Sequence, residues 1–275
     1  MTELPASPEP LPHPVVDTHC HLDATADFSG LEPAEALRRA AEVGVTRIVQ
    51  IGCDVTSSRW AVAAAERFEG VRAGVALHPN DAARLGAGLA DGLAAVEQLA
   101  GHPRVRAVGE TGLDFFRTPD AEGQARQREA FAAHIALARA HDRTLVIHDR
   151  DAHAAVLDVL DAEGPPDRIV MHCFSGDADF ARACLDRGAH LSFAGTVTFK
   201  NNPHLREALA LAPLDRVLVE TDAPYLTPTP LRGRPNASYL VPHTVRFLAA
   251  TLELELGALC RALDGNAEVA FGGTW

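Results

Sequence analysis

From Val15 onward, short runs of β-branched and aliphatic residues alternate with Ala-, Leu-, Arg- and Glu-rich stretches of helical length. This alternation marks parallel strands covered by helices. Eight apolar runs predict strands: Val15 to Thr18, Arg47 to Ile51, Val71 to Leu77, Val105 to Gly109, Thr144 to His148, Arg168 to His172, His190 to Phe193 and Val217 to Thr221. Helices are predicted near residues 33–43, 57–68, 89–100, 124–140, 151–162, 177–187 and 203–211, with a last helical region after Pro242. Eight strands with intervening helices fit a closed (β/α)8 TIM barrel of the α/β class better than an open sheet, and no GxGxxG follows the first strand. Residues 15–275 therefore read as one domain. Residues 1–14 hold five prolines and read as a flexible, extended tail.

Composition narrows the functional classes. The chain has 275 residues, and a single such barrel typically takes about 250. With 25 Lys+Arg against 37 Asp+Glu, the net charge is −12, which excludes an extended basic surface gripping duplex backbone. A local phosphate-binding pocket stays open, and its cations are nearly all arginine, because Lys200 is the only lysine. Five cysteines without a CxxC pair point away from a disulfide scaffold and toward a reducing cytoplasm. No uncharged apolar stretch reaches the eighteen or more residues of a membrane span, so no membrane partner is expected, and nothing calls for an obligate protein partner.

Reactive groups of a barrel sit where its strands end. The first strand runs into Asp17-Thr18-His19-Cys20-His21, and residues two apart in extended chain share a face, so His19 and His21 aim together into the mouth while Cys20 points away. His78, Glu110, His148, His172 and Asp222 stand at the ends of five further strands. Any one of these is more often a turn or capping residue. Together, His19, His21, Glu110, His148, His172 and Asp222 bring four imidazoles and two carboxylates to one opening. That set suffices for two divalent ions, with Glu110 able to bridge them. Imidazoles favour Zn, Mn or Fe, whereas carboxylates with a phosphate substrate permit Mg. Asp222 is both a ligand and the candidate base. Arg150 and Lys200, with Asn201, Arg117, Arg232 and Arg234, can supply a local positive field. His134, His141, His102, His204, His243 and His190 fall on helices, loops or a strand start, and take no role.

Seven ordered motifs then resemble one family: VVDTHCHLD (15–23), GVALHPND (74–81), AVGETGLDFF (107–116), LVIHDRDA (145–152), MHCFSG (171–176), LSFAGTVTFKN (191–201) and VETDAPYLTP (219–228). The chain resembles the TatD-type metal-dependent hydrolases of the amidohydrolase superfamily. The resemblance implies a barrel, a two-metal centre and hydrolysis, most often nuclease activity on DNA. It places the ligands on the same six residues and sets His78 beside the metals, against substrate phosphate or an extra ion. After RGRPN (232–236) the family continues Glu-Pro where this chain has Ala237-Ser238, so a differing substrate loop is expected. The expected activity is cleavage of phosphodiester bonds at single-stranded or free DNA ends. The alternatives are a metal-dependent amide or ester hydrolase, for example one removing an aminoacyl group, and a non-catalytic quality-control binding factor.

Overall fold

The computed structural model describes residues 4–273 and 275. Eight strands form one parallel sheet in sequential order: β1 (Val15–Cys20), β2 (Val45–Ile51), β3 (Val71–Val75), β4 (Val105–Asp114), β5 (Thr144–Arg150), β6 (Ile169–Met171), β7 (His190–Phe193) and β8 (Val217–Val219). The helices are α1 (Leu22–Ser29), α2 (Pro33–Glu42), α3 (Val55–Arg67), α4 (Pro79–Leu85), α5 (Leu89–Ala100), α6 (Ala121–Ala140), α7 (His153–Glu163), α8 (Ala178–Asp186), α9 (Pro203–Leu211), α10 (Val241–Thr251) and α11 (Leu256–Phe271).

Strand alternation divides the core in two. Val16, Val49, Ala107, Val146, Val170 and Leu218 fill the barrel interior with Ala267, Ala270 and Phe271, so α11 closes one end. Their neighbours Val15, Ile48, Val108, Leu145, Ile169 and Val217 point outward into the larger cluster under the helices. The sheet closes between β8 and β1 through polar groups. Thr221 donates its backbone N–H (2.8 Å) and its hydroxyl (2.6 Å) to the buried Asp17 carboxylate, Asp222 N–H reaches His19 O at 2.9 Å, and His21 N–H reaches Ala223 O at 2.8 Å. The seam that completes the barrel thus fixes the backbone of three of the six predicted ligands.

Three expectations are corrected. The fourth strand does not stop at Gly109: β4 continues to Asp114 and pairs with β5 as far as Asp114 and Arg150, leaving Glu110 within the strand. Gly112 permits this, since its φ is +129° and a Cβ there would lie 2.1 Å from His148 O. The segment before β1 is not a loose tail over its described residues. Leu11 and Pro5 are buried, Leu11 N–H donates to Val43 O, Pro5 O accepts from the Tyr239 hydroxyl at 2.8 Å, and Arg246 holds the carbonyls of Glu9 and Pro10. Finally, the short helices α1 and α4 occupy segments for which no helix was expected, each ahead of the helix predicted in the same connection.

Candidate metal centre

Glu110 is the hub of the barrel mouth. One of its oxygens, Oε1, lies 2.6 Å from His148 Nδ1, 3.0 Å from His172 Nε2 and 3.5 Å from His78 Nε2. The other, Oε2, lies 3.4 Å from His19 Nε2 and 4.0 Å from His21 Nε2. Asp222 faces the same pair from β8, 3.8 Å from His19 Nε2 and 3.5 Å from His21 Nε2. The donor atoms fall into three overlapping groups: His19, His21 and Glu110; His19, His172 and Asp222; and His78, Glu110 and His148. All six sequence-predicted ligands are therefore gathered in one place. Asp222 holds a left-handed backbone, φ 53°, which turns the chain back into the mouth directly after β8.

Neighbouring groups decide which ring nitrogens face the centre. His21 Nδ1 lies 3.0 Å from Ile51 O and His172 Nδ1 lies 2.9 Å from Glu220 Oε1, so each donates its Nδ1 proton outward and turns an Nε2 lone pair inward. Both nitrogens of His19 are buried without a hydrogen-bond partner. Unsatisfied buried imidazole beside two carboxylates is costly in a protein but suits a divalent ion, and this donor set fits one. His78 is different. Its Nδ1 accepts the backbone N–H of Asn80 at 3.1 Å, so the neutral ring carries its proton on Nε2, the atom facing Glu110. In that state it is a donor toward the centre.

The charges follow from the crowding. Burial opposes ionisation of Glu110, yet the neighbouring His172 charge and hydrogen bonds from His148 and His172 hold its carboxyl well below the usual range. Burial likewise opposes the charge on His148, but Asp114 and Glu110 outweigh it and raise this imidazole to about 9. His19 goes the other way, lowered by burial and then by His172.

Several groups at the site carried no role in the sequence reading. Asp114 accepts from Asn80 Nδ2 at 2.9 Å and stands 3.4 Å from His148 Nε2. Glu220 accepts from His172 and from the Cys173 N–H. Asp114 was detectable from its place four residues beyond Glu110 on β4, whereas Glu220 lies past the end of β8, where alternation no longer applies. Cys53, just beyond β2, brings its sulfur to 3.9 Å from His21 Nδ1 and from Glu110 Oε2, and no spacing signal marked it. Cys20 is buried away from the centre, as alternation requires.

The cations sit at the rim. Arg150, at the end of β5, is exposed and lies 4.1 Å over the Phe116 ring. Lys200 is exposed in the connection after β7, and among the described residues no ion pair joins it to the cluster. Arg232 lies over Phe199 at 4.0 Å. Arg117 lines a cavity of about 170 Å³ with Asn80, Arg84 and Thr118.

The family model described as TatD related DNase matches residues 16–272. A metal-dependent hydrolase TatD of Mycobacterium tuberculosis, named as uncharacterized, is 46% identical over 270 residues, covering 95% of this chain and 99% of the relative. A Cronobacter turicensis protein named 3'-5' ssDNA/RNA exonuclease TatD is 36% identical, covering 91% and 95%. The crystal structure of YJJV, a TatD homologue from Escherichia coli K12, superposes with a TM-score of 0.85 at 29% identity, over 94% of this chain and 97% of that one.

Proposed function

The chain belongs to the TatD family of metal-dependent hydrolases, and on that premise we propose that it is a deoxyribonuclease hydrolysing phosphodiester bonds at single-stranded or free DNA ends. The observation that carries this reading is Glu110, one carboxylate within 4.0 Å of five imidazoles. Divalent ions would be held there by Glu110 together with His19, His21, His148, His172 and Asp222. Zn, Mn and Mg all fit the donor types. When bound, such ions would supply Lewis acidity and a water nucleophile near neutral pH.

The chain's own residues do the rest. Asp222, ionised and aimed into the mouth, orients the attacking water and accepts its proton. His78 donates from Nε2 to a phosphate oxygen, a role suited to the tautomer that Asn80 imposes. Arg150 contributes a planar cation at the rim, and Lys200 a more distant one. The name of the Cronobacter turicensis relative supports a nucleic-acid strand as substrate. The chain's charge of −12 disfavours duplex gripped along its length, so the strand is gripped locally.

The test is an activity panel on metal-loaded protein: end-labelled single strands with free and blocked termini, blunt duplex, circular duplex and acyl esters, each with Mg, Mn and Zn. Shortening of free-ended single strands is expected, with circular duplex left intact. Brisk acyl hydrolysis without phosphodiester cleavage would replace this reading with the amide or ester hydrolase.

A further inference from the structure

Large exposed hydrophobic side chains are few here, and among the described residues the aromatic ones are Phe28 (65% exposed), Phe116 (59%) and Tyr225 (55%). Phe28 sits in the last turn of α1, while the other two lie just past the C-terminal ends of strands, Phe116 after β4 and Tyr225 after β8. That is the end of the barrel where the metal-ligand cluster opens. A lone exposed aromatic needs no explanation, but a pair standing on two sides of one metal-ligand cluster does.

Two of them flank the centre. Tyr225 follows Asp222 by three residues, donates its N–H to Asp222 O at 2.9 Å and sets its ring 6.4 Å from that of His21. Phe116 follows Asp114 by two residues and is covered on one side by the Arg150 guanidinium at 4.1 Å, two residues beyond His148. In the sequential strand order, β4 and β8 are four strands apart, so they stand on opposite sides of a closed eight-stranded barrel. One aromatic thus lies on the His21–Asp222 side of the cluster and the other on the His148–Asp114 side.

We infer that Phe116, with Arg150 stacked on it, and Tyr225 are base-stacking platforms that hold the two nucleosides on either side of the scissile phosphate. This inference rests on the nucleic-acid reading of the site and specifies how the strand is gripped. Every base offers a π face, so stacking tolerates any sequence, and an arginine laid against an aromatic ring extends the platform while its edge stays free for phosphate. Charge favours such a grip. A protein of net charge −12 repels a strand's backbone overall although it has 25 Lys+Arg, whereas stacking depends on salt less steeply than phosphate contacts do.

The experiment couples each aromatic to one base. Metal-loaded full-length wild type, Phe116→Leu and Tyr225→Leu are compared on a single-stranded oligonucleotide, and on versions abasic at one of the two nucleosides flanking the cleaved linkage. A phosphorothioate-blocked strand carrying 2-aminopurine at the same positions reports stacking by fluorescence quenching. Each leucine variant is expected to lose roughly tenfold in kcat/KM, mainly through KM, on the intact strand. That loss should not add to the loss from removing the matching base, and quenching at that position should disappear. Additive losses on intact and abasic strands, with quenching retained in both variants, would overturn the inference and leave Phe116 as a support for Arg150. Quenching that is lost in the variants while wild type cleaves no strand would refute the nuclease reading and leave the stacking platforms standing.

Discussion

Glu220 accepts the Nδ1 proton of His172 at 2.9 Å, and through that bond it decides that Nε2 is the nitrogen 3.0 Å from Glu110. A carboxylate behind a ligating imidazole fixes the ring's orientation and raises its basicity. Glu220 is fully buried on the strand end that also leads to Asp222, so one short segment carries both a ligand and the support of another.

Replacing Glu220 with Gln keeps the shape but removes the charge that holds the His172 proton. Metal affinity is expected to fall about tenfold, with the fold intact. Competition against a chromophoric chelator measures it, and an unchanged affinity would show that the His172 tautomer is set elsewhere.

The segment before β1 should contribute to stability. Leu11 is buried against the outer core, and its backbone N–H is bonded to Val43 O. Leu11→Ala is expected to cost about 2–4 kcal/mol, the usual range for a leucine truncated in a packed core. Urea unfolding checks this, and a loss below about 0.5 kcal/mol would return the segment to a loose tail.

His134 gives a pH dependence. It is buried on α6, its Nε2 accepts the Leu77 N–H at 3.1 Å and its Nδ1 lies 2.6 Å from Ala130 O, so the neutral ring is built into the backbone leading to His78. Burial lowers its pKa to about 4. The unfolded chain therefore binds this proton more readily than the folded one between pH 6.5 and about 4. The stabilisation is complete above pH 6.5 and is lost as pH falls toward 4, by roughly 3 kcal/mol in all. Unfolding free energies at pH 7 and pH 5 should differ less in His134→Gln than in wild type. An identical slope would assign the acid sensitivity to other groups.

The barrel and the clustering of the six candidate ligands were legible in the sequence for one reason. Strand alternation and apolar runs are local, and the ligands stand next to those runs. His19 and His21 show it most plainly, two residues apart on β1. What the sequence hid was either non-local or masked by polarity. The apolar run of β4 ends at Gly109, where Glu110, Thr111 and Gly112 interrupt it, yet the ladder with β5 resumes at Thr111 and Gly112. Leu11 sits among prolines that suggest a solvated tail, and its partners lie on distant elements. Cys53 reaches the centre only because β2 ends beside β1, a proximity no spacing announces. Asp114 and Glu220 are intermediate cases, present in the motifs but without a role until hydrogen bonds assign one.

The central claim is a metal centre held by His19, His21, Glu110, His148, His172 and Asp222. Anomalous diffraction from crystals of Mn- or Zn-loaded protein tests it most directly, because it locates the ions and identifies the donors in a single measurement. Two anomalous peaks are expected at the barrel mouth on either side of Glu110, with all six side chains within coordination distance of one or the other. A single site elsewhere, or fewer than four of the six residues coordinating a common cluster, would contradict the account.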